Sequence, residues 1–312
     1  MTITQLQYVL AVAEHRNFTL AAEKCFVTQP TLSMQIQKVE EDLGVQIFDR
    51  SKKPIQLTQI GQKIVNQAKN IVNEADRIRD IVDQQKGFVG GEFRLGIIPT
   101  IMPTLLPMFL TNFIKKYPKV QLIIEELNTQ EIITRLKNGH LDAAIAATPL
   151  RDEKIKEIVL YYEPFVAFVP PGNPLYSKSE IEVDDLNPDE ILLLRDGHCF
   201  RDGVLNLCKI TGGPENKFKI ESGSFETLVK LSAEGLGMTL LPFLHTLDLK
   251  DSDKEKLRHF REPRPAREVS LIFPSNDLKR HIIDAMRNVI AGVVKGAVVF
   301  HNVQIISPVQ KK

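Results

Sequence analysis

The sequence predicts an α/β protein in which a winged helix-turn-helix and one long helix precede a larger domain of alternating strands and helices. Three patterns carry this. Residues 4–43 hold three stretches of helix-period apolar residues broken by tight turns, and residues 64–82 repeat apolar side chains in steps of four and three. From residue 91 onward short apolar runs alternate with helical segments, the signature of βαβ units. A chain of 312 residues suits two or three domains, each able to bury a core.

Leu6, Leu10 and Ala13 lie at helical spacing, and Asn17-Phe18-Thr19 opens a second short helix. Thr28 is a good cap for a third, with Pro30 in its first turn, where the missing N–H costs no hydrogen bond. Leu32, Ile36, Val39 and Leu43 form its buried face, and Gly44 ends it. Helix, turn, helix is the arrangement that enters the DNA major groove. Gln29, Thr31, Ser33, Gln35 and Lys38 are the candidates for base and phosphate contact, with Pro30 supporting the helix. V-Q-I-F-D-R, S-K-K-P and I-Q-L-T then read as a hairpin with a basic tip, so Arg50, Lys52 and Lys53 are expected on the DNA backbone or minor groove. A net charge of +1 hides this patch, because the five basic residues from Arg50 to Lys69 are interrupted by no acid. Residues 1–58 are thus read as the DNA-binding domain.

Ile64, Ala68, Ile71, Ala75, Ile78 and Val82 make a narrow heptad seam on a long helix. Such a stripe packs on its own domain or on a second copy, and the chain is read as a homodimer or homotetramer paired through it. Residues 59–90 are the linker helix and hinge, with K-G-F-V-G-G at 86–91 as the break. A regulatory domain follows at 91–300. Its first strand ends at Pro99-Thr100, a helix runs through 106–117, and a second strand ends at Asn128-Thr129 before the helix E-I-I-T-R-L-K-N-G; L-D-A-A-I-A-A is a third strand. A largely parallel sheet is expected, with Thr100 and Thr129 at strand ends, where such sheets bind ligands, or else serving as simple helix caps. Strands are also expected at 267–273 and a helix at 277–295; A-V-V-F-H-N-V-Q-I-I-S is strand-like but finds no place.

The apolar and charged fractions, 43% and 25%, are those of an ordinary soluble protein. No apolar run is long enough to span a bilayer and no signal peptide is visible, so a cytoplasmic location without membrane contact is expected. Three cysteines cannot build a disulfide framework. No cofactor or metal is expected.

The first 65 residues resemble the LysR family of bacterial transcription regulators. The match runs through Phe18, Ala21-Ala22, Thr28-Gln29-Pro30-Thr31-Leu32-Ser33, Gln35-Ile36, Glu40, Leu43-Gly44, Phe48-Asp49-Arg50, Leu57-Thr58 and Gly61. G-H-L-D-A-A-I and E-G-L-G-M-T-L-L-P resemble the family's effector domain. The resemblance implies a two-lobed fold like that of periplasmic binding proteins, lobe I at about 91–164 and 267–300 and lobe II at about 165–266. It also implies a double-stranded DNA operator, RNA polymerase as a partner, and tetramers as a common state. It leaves out the tail beyond about residue 296.

Within that family, D-G-H-C-x-R-D followed by a second cysteine nine residues on resembles the peroxide-sensing members. The resemblance places the peroxide-reactive thiol at Cys199 and its resolving partner at Cys208, with Thr100, Thr129, His198, Arg201 and Asp202 near the peroxide site. One departure is Lys217, where such members often carry a histidine before the position of Phe218. The residues themselves fit thiol chemistry. Asp196-Gly197 is a turn, and Phe200, Val204, Leu207 and Cys208 are helically spaced, so Cys199 starts a short helix whose dipole favours an anion. His198 and Arg201 are expected to add positive charge. Nine helical steps separate the two cysteines by about 13 Å, whereas a disulfide needs Cα atoms about 4.4 to 6.8 Å apart. Oxidation must therefore refold the segment, and Gly203 in its middle eases that by about 1 kcal/mol. Two inert buried thiols are the plainer reading of the pair. Cys25 reads as core, and a zinc site lacks a usual ligand spacing. Against a peroxide-switched regulator stand a LysR regulator answering a small metabolite in the interlobe cleft and, from another class, a thiol peroxidase. The helix-turn-helix argues against an enzyme.

Overall fold

The computed structural model describes residues 1–85, 89–208, 222–275, 279–298 and 302–309. The linker at 86–88 and the Lys217-Phe218 position lie outside the described residues. The chain divides into two compact units, Met1–Phe88 and Val89–Lys312.

In the first unit α1 (Ile3–His15), α2 (Phe18–Lys24) and α3 (Gln29–Leu43) follow one another with short turns. Each start is capped by the side chain the sequence offers: Thr2, Asn17 and Thr28 accept backbone N–H groups of their first turns. Gly44 closes α3 at φ 66°, which only glycine adopts cheaply. Val9, Val12, Ala21, Leu32, Ile36 and Val39 are fully shielded and form the core, with Cys25 packed against it. Leu43 departs from the expected buried face; it sits in the last turn and is 41% exposed. β1 (Phe48–Asp49) and β2 (Gln56–Leu57) pair antiparallel as the wing. Glu40 fixes the wing to α3, accepting the N–H groups of Ile47 (2.8 Å) and Phe48 (3.1 Å) and pairing with Arg50 at 2.9 Å.

The long helix α4 (Gln59–Gln85) starts against the wing at Gly61, where a Cβ would stand 2.0 Å from the Ile47 carbonyl oxygen. The seam expected on α4 is divided. Ala68 and Ile71 pack on Leu6 and Leu10 of α1, in their own domain, while Ile78 is 66% exposed and Val82 43% exposed. α1 covers only the first part of α4, because a helix of 13 residues is half as long as one of 27.

In the second unit β3 (Gly91–Ile97), α5 (Met102–Lys116), β4 (Val120–Glu126), α6 (Thr129–Lys137) and β5 (Ala143–Thr148) are the βα units the sequence promised. β3 pairs parallel with β4 and β5. α5 begins earlier than expected: Pro103 lies in its first turn and Pro107 is carried inside. The sheet is mixed rather than largely parallel. β6 (Ile155–Phe168) and, further on, β11 (Arg264–Pro274) are long strands, antiparallel to each other, and β11 is antiparallel to β5. A second group of strands, with its helices, lies between them in sequence, so the chain leaves the first group along β6 and comes back along β11. The end of β6 continues into this second group: β7 (Glu180–Ile181), β8 (Ile191–Leu192), β9 (Met238–Pro242) and β10 (Leu257–Phe260). α7 (Cys199–Leu207), α8 (Phe225–Ala233), α9 (Phe243–Leu247) and α10 (Asp251–Lys254) join them, and α11 (Arg280–Val294) returns to the first group. Two hydrophobic cores result, one for each group of strands. The strand-like tail finds a place as β12 (Val303–Ile305), parallel to β11 at Arg264–Ala266.

Candidate functional site

α7 opens directly after the Asp196-Gly197 turn, with Gly197 at φ 88°. His198 takes the cap position without a side-chain cap bond, so Cys199 is the first helical residue. Phe200, Val204 and Leu207 anchor α7 in the second core, whereas Cys199 itself packs into the first. The thiol therefore sits at the boundary of the two cores, 8% exposed. Cys208 ends the same helix, half-buried against the second core, and both thiols are free. Nine helical rises put their Cα atoms about 13.5 Å apart. Gly203 has a packing duty beside its weak helix propensity: a Cβ there would meet the Phe165 ring at 3.3 Å.

The electrostatics reverse one expectation. Burial pushes the Cys199 thiol above its ordinary 9.0, ahead of the lowering by Arg267, by Thr129 and by the Ala147 backbone, and Asp202 pushes it further up. Desolvation leads, and Cys199 rests as a thiol. Nor do His198 and Arg201 supply the expected positive charge. His198 is buried, which lowers its pKa and keeps it neutral, with Arg195 lowering it further; its Nε2 lies 3.4 Å from Arg195 Nε. Arg201 turns to the preceding loop, pairing with Asp196 at 2.8 Å and donating to the Leu194 carbonyl at 3.1 Å. Asp202 stays within Coulombic reach of the thiol, its own pKa raised first by burial. Cys208 is pushed to about 11 by burial alone.

Neither threonine is a simple cap. Asn128 caps α6, leaving the neighbouring Thr129 Oγ1 buried without a well-formed hydrogen bond. That hydroxyl is close enough to the Cys199 sulfur to favour its anion, although the contact falls short of full hydrogen-bond geometry. Thr100 is held by Arg267, whose Nη1 donates to Thr100 Oγ1 and Nη2 to its carbonyl, both at 3.0 Å. Arg267 is the residue sequence reading missed. It is 3% exposed, pairs with Glu163 at 2.7 Å, and lies 5.3 Å over the Phe200 ring. Glu163 accepts from the Leu244 N–H at 2.8 Å with its other oxygen. The available signal was a charge set among apolar residues in each of two strands, Glu163 in Y-Y-E-P-F and Arg267 in R-P-A-R-E-V; a buried charge must be paired. Among the described residues no group of three His, Cys, Asp or Glu side chains could hold a metal ion.

On the first unit Gln29, Pro30, Thr31 and Lys38 are exposed, and Ser33 and Gln35 are half-buried along the same helix. Gln35 also accepts from Gln5 Nε2 at 2.9 Å, which ties α3 to α1. Lys52 and Lys53 are exposed at the wing tip, while Arg50 is committed to Glu40 and to the Phe18 ring, 5.1 Å away.

A winged helix-turn-helix with a polar face on its third helix, in one chain with a domain built on two cores, defines a helix-turn-helix transcription regulator. Residues 3–62 match the bacterial regulatory helix-turn-helix protein, lysR family, and residues 86–294 match the LysR substrate binding domain. The chain belongs to the LysR family. It is 32% identical to a hydrogen peroxide-inducible genes activator of Pectobacterium carotovorum subsp. carotovorum, over 95% of this chain and 99% of that one. It is 33% identical to the DNA-binding transcriptional dual regulator OxyR of Escherichia coli K12, over 89% and 92%. Among solved structures, a full-length OxyR mutant from Pseudomonas aeruginosa superposes with TM-score 0.77 at 35% identity, covering 93% of this chain and 98% of that one. An H2O2-bound OxyR mutant from Corynebacterium glutamicum gives 0.63 at 27% identity, covering 95% and 93%. Among the described residues no helix is long and apolar enough to cross a membrane.

Proposed function

We propose that the protein is a peroxide-responsive transcription regulator in which α7 is the switch. The observation that carries this is the placement of Cys199 on the first turn of α7, against the unpartnered Thr129 hydroxyl, with the second thiol at the far end of the same helix. The relatives named for hydrogen peroxide support it. Cys199 loses its proton, and the thiolate attacks one peroxide oxygen. The O–O bond breaks, and the departing hydroxide takes up a proton as water, leaving a sulfenic acid. Cys208, deprotonated in turn, attacks the Cys199 sulfur and expels its oxygen as a second water. Two thiols thus supply the two electrons that reduce one peroxide to two waters. Thr129 orients the peroxide, and Arg267 with Thr100 favours the thiolate.

Helical geometry forbids the disulfide, so closure refolds α7 and removes Phe200, Val204 and Leu207 from their core. That rearrangement alters how subunits of a homodimer or homotetramer pair, and so how their helix-turn-helix units meet the operator and RNA polymerase in the cytoplasm. Gln29, Thr31, Ser33, Gln35 and Lys38 read the major groove beside Pro30, and Lys52 and Lys53, with Arg50 at the base of the wing, hold the backbone.

Non-reducing mass spectrometry after one equivalent of peroxide tests the reading. Loss of two hydrogens with a Cys199–Cys208 crosslink is expected. Cys199→Ser should be inert, and Cys208→Ser should yield a trappable sulfenic acid at Cys199. Unmodified wild-type thiols, or trapping at Cys208 instead, overturn it.

A further inference from the structure

The tail beyond residue 296 found no role in the sequence. In the structure it touches the strand that carries Arg267 and the helix that begins at Cys199. Its strand β12 lies along Arg264–Ala266, next to Arg267, with the Arg264 N–H donating to Asn302 O (3.1 Å) and the Ile306 N–H to Ala266 O (2.8 Å). Ile306 packs against the second core, to which Phe200, Val204 and Leu207 of α7 also belong. One residue later the Ser307 carbonyl accepts from Asn206 Nδ2 at 2.8 Å, a contact between positions 101 apart in sequence. Asn206 is the second-last residue of α7, two positions before Cys208.

We infer that residues 302–307 are a clasp that holds the C-terminal end of α7 helical, so that Asn206 positions Cys208 away from Cys199 until the clasp opens. The inference rests on the redox reading of α7. A helix end has carbonyls without partners and frays first. Here the last turn is tied to a strand that is itself hydrogen-bonded to β11. Joining Cys199 to Cys208 shortens their Cα separation from about 13.5 Å to at most about 6.8 Å. Asn206 lies inside that loop and cannot stay on Ser307. Closure of the disulfide therefore releases the tail, and the tail sets how readily Cys208 reaches a sulfenic acid at Cys199.

The test compares the full-length wild type with Asn206→Ala and with a chain ending at Asn302. Alanine is the better helix former, so propensity alone slows opening of α7; loss of the clasp speeds it. In reduced Asn206→Ala, amide exchange at Leu207 and Cys208 should rise about two- to tenfold, as for one lost hydrogen bond. After one equivalent of peroxide, disulfide closure should accelerate by a similar factor, while sulfenic acid forms at the wild-type rate. The shortened chain should do the same or more, and if it precipitates Asn206→Ala decides alone. Oxidised wild type should lose exchange protection at 303–306. Exchange and closure unchanged or slowed in Asn206→Ala, or a tail equally protected in both redox states, overturns the clasp while leaving the peroxide reading standing. A wild type that forms no intrachain disulfide overturns both.

Discussion

Thr100 and Thr129 are the same residue type at matching strand ends, yet their surroundings give them different duties. Thr100 satisfies Arg267, so Thr100→Val orphans a buried guanidinium donor and should cost about 1–3 kcal/mol in urea unfolding. Thr129 Oγ1 satisfies nothing in the fold, so Thr129→Val should leave stability within about 1 kcal/mol. The same change should slow Cys199 oxidation by about tenfold, the value of one oriented hydrogen bond in a barrier. Equal effects of both substitutions on stability would contradict the assignment. Cys199 carries its own signature. Because its pKa lies above 9.0, the thiolate fraction grows with pH across the neutral range. Alkylation of Cys199 by iodoacetamide should therefore climb about tenfold per pH unit from pH 7 to 9. A plateau below pH 8 would place the thiol in a different environment.

At the scale of elements, α4 and the wing make separate claims. Ile78 is exposed on α4 beyond the stretch α1 covers, so Ile78→Lys should leave the helix-turn-helix folded and weaken self-association. Light scattering at micromolar concentration checks this; an unchanged mass would remove α4 from the proposed interface. Ile71 is a poorer probe, since a charge there also attacks packing on Leu6 and Leu10. At the wing tip Lys52 and Lys53 are free of the Glu40 pairing that occupies Arg50. Replacing both with alanine should reduce the salt slope of duplex DNA binding by roughly two, one per phosphate contact. A slope that does not move would take the wing off the DNA.

At the scale of the whole molecule, β6 runs from the first core into the second with β11 paired along it, and Glu163 and Arg267 form an ion pair buried between them. Arg267→Met leaves a buried carboxylate unpaired and should lower the stability of the second unit by about 3–5 kcal/mol, whereas Arg267→Met with Glu163→Leu should recover much of it. Urea unfolding of the three proteins measures the difference. His198, His245 and His259, all in this unit, are pushed below their ordinary 6.5 first by burial. The unfolded chain therefore binds more protons below about pH 6.5, and stability must fall as pH drops through that window. A melting temperature lower at pH 5 than at pH 7 is the expected sign.

Local rules determined much of this protein. Thr28, Pro30 and Gly44 mark the ends of α3 because caps and glycine act within one turn, and the turn before Cys199 marked α7 for the same reason. The two thiols, their nine-residue spacing and the geometric bar to a helical disulfide were all legible along the chain. What tertiary structure decided was anything that depends on long-range burial. It raised the pKa of Cys199, lowered that of His198, and turned Arg201 toward Asp196. It brought Arg267 to a threonine 167 positions away and Ser307 to Asn206, contacts that no local period encodes. It also assigned Ala68 and Ile71 of the α4 seam to α1, because an apolar stripe records that something covers it and not which surface does.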